Sequence, residues 1–84
     1  MTLRPIPRAY RPSEIRQARA GTITNDMRQL MMDHVHYQSD QGWKGEEGRL
    51  AAAMMLCGPQ ADDDLLEAVS DQIVEARQAV EGAR

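Results

Sequence analysis

The chain has no phenylalanine, one tryptophan, two tyrosines and one cysteine among its 84 residues. Each shortage closes an option. With few aromatics and no isoleucine- or valine-rich run, the apolar stock is Ala, Leu and six Met, a set that favours helix over sheet. One cysteine cannot form an internal disulfide, and a lone thiol suits a reducing compartment. The longest apolar run, residues 50–57, is eight residues long and too short to span a bilayer. Residues 1–12 are basic but have neither an apolar h-region nor a small-residue cleavage site, so no signal peptide is expected. A soluble, cytoplasmic protein is the expectation. A chain this short buries only roughly 60% of the surface its unfolded form exposes, so its core is small and self-association is the expected supplement.

What is present is unevenly charged. The net charge is −3, but residues 1–28 carry six arginines against Glu14 and Asp26, a balance of +4. The remainder carries Lys44, Arg49, Arg77 and Arg84 against eleven carboxylates, a balance of −7. Such an asymmetry suggests a basic N-terminal segment attracted to something acidic: nucleic acid, another protein, or the acidic half of a second copy.

Three of the four prolines, Pro5, Pro7 and Pro12, fall in the first twelve residues, which read as an extended Pro/Arg-rich arm. Residues 13–84 read as a single small helical domain. A first helix is expected over 13–20, started by Pro12 and Ser13, stopped by Gly21, with Ile15, Ala18 and Arg19 inward. A second begins at the Thr24 N-cap. Its residues Met27, Leu30, Met31, His34 and Val35 recur with helical spacing, and the pattern fades near Tyr37. Glycines at 42, 45 and 48 mark a polar connection. A third helix is expected over 46–57, with Leu50, Ala53, Met54 and Cys57 on its inner face and Gly58-Pro59 ending it. In the fourth, Asp62, Asp63 and Asp64 supply cap and N-terminal charge. Leu66, Val69, Ile73, Ala76 and Val80 are spaced 3, 4, 3, 4, a seam for packing in cis or in trans. The fold class is therefore all-α, a bundle of three to four helices with an extended N-terminal arm, the fourth helix as its spine. A homodimer through the fourth helix, by Leu66, Val69, Ile73 and Val80, or through the third is the working expectation.

The chemistry-bearing residues gather in DHVHYQSDQGWKGEEG, residues 33–48. His34 and His36 are two apart, about 200° around a helix, which prevents shared ligation. Asp33 with His36, or His36 with Asp40, pairs without a third ligand, and no CxxC, HExxH or EF-hand pattern is present. His34 is expected at the wet edge of the apolar stripe and His36 in solvent. Cys57, at a helix C-terminus, is placed where the dipole disfavours a thiolate, so it reads as core. Asp40, Glu46 and Glu47 have no predicted burial to tune them for acid–base work. No enzyme, metal or cofactor is expected. Trp43 and Lys44, between Gly42 and Gly45, form an aromatic-basic tip. Together with Arg4, Arg8, Tyr10, Arg11 and Tyr37 they are the candidate partner-binding residues, because desolvated Trp, Tyr and Arg dominate interface energies.

The stretch SEIRQARAGTITNDMRQLM, residues 13–31, resembles the first two helices of a helix-turn-helix repressor of the Cro/C1 type. That resemblance implies a DNA-binding regulator using residues 13–38 and the basic arm. A short turn and a recognition helix should then follow. Here the second helix runs on through MMDHVHYQ, and a glycine-rich loop stands where the third helix belongs. In size, acidity and helical character the chain also resembles the small anti-defence or host-takeover proteins of bacteriophages. The reading these observations favour is a non-catalytic interaction module, an adaptor or steric inhibitor of a partner protein. A DNA-binding regulator is the alternative, and a metal- or thiol-dependent enzyme the second alternative. No membrane association is expected.

Overall fold

The computed structural model describes residues 5–82, apart from the side chains of Val80 and Glu81. The described residues are all-helical: α1 (Pro12–Arg19), α2 (Asn25–Asp40), α3 (Gly45–Cys57), a single 3₁₀ turn (Gly58–Gln60) and α4 (Asp63–Gly82). Each boundary has a local cause. Pro12 occupies the first position of α1, where its missing N–H costs nothing. Thr24 Oγ1 accepts from Met27 N at 3.2 Å and opens α2. Asp62 does the same for α4, accepting from Leu65 N at 2.8 Å.

The α2 end shows how the chain is turned. Gly42 N donates to Ser39 O at 3.0 Å and Trp43 N to Gln38 O at 2.8 Å, the paired bonds of a Schellman motif with Gly42 at φ 91°. A side chain at that φ would be strained, so the motif selects glycine. Its geometry also fixes the direction in which Trp43 leaves the helix.

Helices α2, α3 and α4 pack on one another, and α1 lies against α4, so α4 is the spine. Gln72 Nε2 donates to Ala18 O at 2.8 Å across the α1–α4 contact. Arg19 pairs with Asp62 at 2.6 Å, tying the end of α1 to the cap of α4. The core comprises Ile15 and Ala18 of α1, Met27, Leu30 and Met31 of α2, Ala52, Ala53, Leu56 and Cys57 of α3, and Leu65, Val69, Ile73 and Ala76 of α4, with Tyr10.

Three expectations are corrected by this packing. On α3 the inner face is Ala52, Ala53, Leu56 and Cys57, while Leu50 and Met54 face outward. Residues 50–57 are apolar on every side, so spacing did not select a face. The alanines settle it, because small side chains let the helix axes approach. On α4, Leu65 is fully buried and Leu66 only partly. Val69 and Ile73 are wholly covered by the chain's own helices, so a second copy could reach them only by opening the bundle. Of the side chains expected to serve self-association, Leu66 keeps partial exposure, and Val80's side chain lies outside the described residues.

The third correction concerns the N-terminal segment. Residues 5–11 carry no regular structure, but their second half is a strap across the bundle. Tyr10 N donates to Leu56 O at 2.8 Å, and the Tyr10 side chain is 5% exposed. Arg8 clasps Glu14 with both terminal nitrogens, at 2.7 and 3.1 Å, while Arg11 N donates to the same carboxylate at 2.8 Å. His34, expected at a wet edge, is fully buried, and its Nε2–H donates to Arg8 O at 2.6 Å. His36 is exposed.

The strap makes stability depend on pH. Burial holds the His34 imidazole below its ordinary pKa. The Arg8 guanidinium, aided by the Arg11 amide, holds Glu14 below the usual carboxylate range. In both cases the unfolded chain binds more protons than the folded one, so stability falls with falling pH. The His34 contribution is lost below the unfolded value of 6.5. The Glu14 contribution is present above 4.5 and disappears as pH falls through the lower folded value. Thermal melts from pH 8 to pH 4 should show Tm level down to about 7 and declining below about 6.5. His34→Gln should remove the first decline and keep the second. A wild-type Tm that stays level to pH 5 would refute the assignment.

Candidate functional site: a cationic cleft beside Trp43

The α2–α3 connection is short, and it is pressed against the start of α3. A Cβ at Gly48 would stand 2.7 Å from the Trp43 carbonyl oxygen, so the loop backbone and the first turn of α3 meet where only glycine fits. With its amide bonded to Gln38 and its carbonyl against Gly48, Trp43 has a fixed backbone. Its side chain remains 50% exposed.

Behind this loop lies a cleft of about 220 Å³ lined by Trp43, Lys44, Arg49 and Arg77 together with Val35 and Ser39. A shallower groove of about 390 Å³ continues from it along Arg49, Arg77 and Val74 to Glu46. Arg49 comes from the first half of α3 and Arg77 from the second half of α4, and packing of those helices brings them together. Arg49 Nη2 pairs with Glu46 Oε1 at 3.2 Å, while Arg49 Nε is buried with no hydrogen-bond partner among the described residues. Among the described residues, no carboxylate lines the 220 Å³ cleft. On the outer face of α3, Leu50 and Met54 are 45% and 59% exposed, one helical turn apart and on the same side.

The other expected partner-binding residues are dispersed. Tyr10 is in the core and has little surface to offer. Arg8 is engaged by Glu14 and Arg11 is exposed. Tyr37 is half-buried on α2, and Arg4 lies outside the described residues. The DNA-binding alternative drew on the same segment, and its Arg8 and Tyr10 are occupied by the fold. Of the described residues in the expected set, Trp43 and Lys44 share the cleft, where the structure adds Arg49 and Arg77, with Leu50 and Met54 exposed further along α3. The arginines had a signal: Lys44, Arg49 and Arg77 are three of the four cations after Arg28, and scarce cations that converge are informative.

Among the described residues, no group of three or more His, Cys, Asp or Glu side chains is placed to hold a metal ion. Burial pushes the Cys57 thiol up to about 11, far from the range of a reactive thiolate. Among the described residues, no helix is long and apolar enough to cross a membrane. No protein-family model, curated protein or solved structure matches the chain.

Proposed function

We propose that the chain is a small non-catalytic protein-interaction module, an adaptor or steric inhibitor that works by covering a surface of a partner protein. The observation that carries this reading is the exposure of Trp43, Leu50 and Met54 on and just before α3. Leu50 and Met54 stand one helical turn apart on the outer face of α3, and Trp43 is half-exposed just before that helix, while most other large apolar side chains of the described residues are in the core. Large exposed apolar side chains grouped in this way mark interaction surfaces. Methionine adds an adaptable contact, and the rigid α3 backbone supplies a platform whose shape is set before binding.

Quantitative affinity capture from the producing cells tests the reading. The wild-type chain should retain a partner in near-stoichiometric amount, and Leu50→Glu/Met54→Glu should reduce that recovery by about tenfold or more. Both substitutions are at exposed positions, so the variant's Tm should match the parent's within a few degrees. Equal recovery by both, or recovery of the chain alone, would overturn the proposal.

A further inference from the structure

The N-terminal strap is held to the bundle by few polar contacts, and one of them ends on a buried imidazole. We propose that the strap is a proton-gated latch: uptake of one proton from solvent by His34 accompanies local release of the strap, with α2, α3 and α4 still packed on one another.

The two ring nitrogens of His34 stand in unlike settings. Nε2 lies 2.6 Å from Arg8 O, and a carbonyl only accepts, so Nε2 carries the hydrogen. Nδ1 is buried with no hydrogen-bond partner among the described residues, and in the neutral ring it is a bare lone pair. A proton added there becomes a buried donor with nothing to accept it, on a ring that now carries charge. The ring is 0% exposed, so the charged form reaches water only when the segment over it moves. Burial is the largest influence on the ring and opposes its charged form. Two charged groups act as well: the Arg8 guanidinium on the strap opposes protonation, and Asp33 on α2 favours it. Asp33 is engaged by Gln29 at 3.1 Å, and Glu14 of α1 is clasped by Arg8. Among the described residues, α3 and α4 add no charge to those acting on the ring.

Release can be local because the strap and the bundle are held separately. Helices α2, α3 and α4 contact one another directly, around Met27, Met31, Leu56, Val69 and Ile73. The strap has no regular structure of its own. Burial of Tyr10, its amide bond to Leu56 O, the Arg8–Glu14 clasp and the His34 bond are what hold it. Segments with so few contacts open at lower free energy than packed helices. Arg11, extended at φ −75° and ψ 160°, joins the strap to α1, so the strap can swing away without unwinding a helical turn. The closed form withholds Tyr10 and the clasped Arg8, and the open form offers both, in a ratio set by pH.

Hydrogen exchange of single amides, followed by NMR on the whole chain and corrected for the intrinsic pH dependence of exchange, reads the latch. The Tyr10 amide reports the strap and the Ile73 amide, at the centre of α4, reports the bundle. Tyr10 should exchange through an opening at least about tenfold more populated than the one that exposes Ile73. From about pH 7.5 to about pH 5.5 that opening should become severalfold more populated. About tenfold is the limit for one proton taken up by the open form at the ordinary histidine value of 6.5. His34→Gln keeps an N–H donor for Arg8 O but takes up no proton, and its opening should change by less than about twofold over the same range. Glu14→Gln should keep the rise, because the Glu14 carboxyl titrates below that range. Equal opening populations for Tyr10 and Ile73 at every pH would overturn the proposal, since the strap would then leave only with the whole bundle. So would a flat Tyr10 profile, a rise that persists in His34→Gln, or a rise lost in Glu14→Gln. Imidazole NMR of the unaltered chain is independent of any variant's folding: a His34 ring that protonates while Tyr10 keeps its full protection would also overturn it.

Discussion

Deleting residues 1–11 should lower the melting temperature by about 15 °C or more, whereas loss of a free arm would leave it unchanged. The deletion removes Tyr10 from the core, its amide bond to Leu56, the Arg8 clasp on Glu14 and the carbonyl that accepts from His34. Truncating a buried aromatic costs about 3–5 kcal/mol by itself. It would also remove the hydrogen-bond partners of Glu14 and His34, each bond worth about 1 kcal/mol, more for the charged pair. In a domain of this size each kcal/mol is worth about 4–8 °C. The single change Tyr10→Ala separates side-chain burial from the rest and should account for the larger part of the drop. Circular dichroism at 222 nm against temperature measures both; a Tm within 3 °C of the parent for the deletion would show that the strap is not part of the folding unit.

Ile73→Asp should abolish cooperative folding. Ile73 is fully buried at the centre of α4, and an aspartate there must either hold a charge away from water or take up a proton to avoid it. Loss of the aliphatic side chain alone costs about 2–5 kcal/mol, in a domain whose total stability is about 4–12 kcal/mol at the usual value per residue. Ile73→Val should cost only about 1 kcal/mol. A seam used between copies predicts something different, a folded monomer from a dimeric parent. Sedimentation and helical signal read together decide between the two. A folded Ile73→Asp chain with the parent's Tm would contradict the burial described above.

The sequence was most readable where the cause is local. Thr24, Asp62, Gly21 and Gly58 act on backbone within a few residues, and the helix boundaries they govern fall within about one residue of expectation, whereas α2 runs on to Asp40, past Tyr37 where its apolar pattern fades. The inner face of α2 was equally clear, because its apolar residues stand out against polar neighbours. On α3 no such contrast exists, and the face depended on how closely α2 and α4 approach. The strap was hidden for another reason. The groups that hold Tyr10 and Arg8 are the backbone carbonyl of Leu56, a carboxylate on α1 and an imidazole on α2. Nothing in the pattern Arg-Ala-Tyr-Arg distinguishes a residue so held from one in solvent. The cleft lies between these cases. Trp43 and Lys44 stood out as an aromatic and a cation between glycines, whereas Arg49 and Arg77 join them only through the packing of α3 on α4.

Cys57 adds a built-in clock to this arrangement. Its thiol is 1% exposed and follows Leu56, the residue whose carbonyl receives the strap. A thiol reagent can reach it only during an opening, so the labelling rate reports how often the N-terminal segment and α3 part company. Comparing that rate with the global unfolding rate would separate a strap that peels away alone from one that leaves only when the whole bundle does.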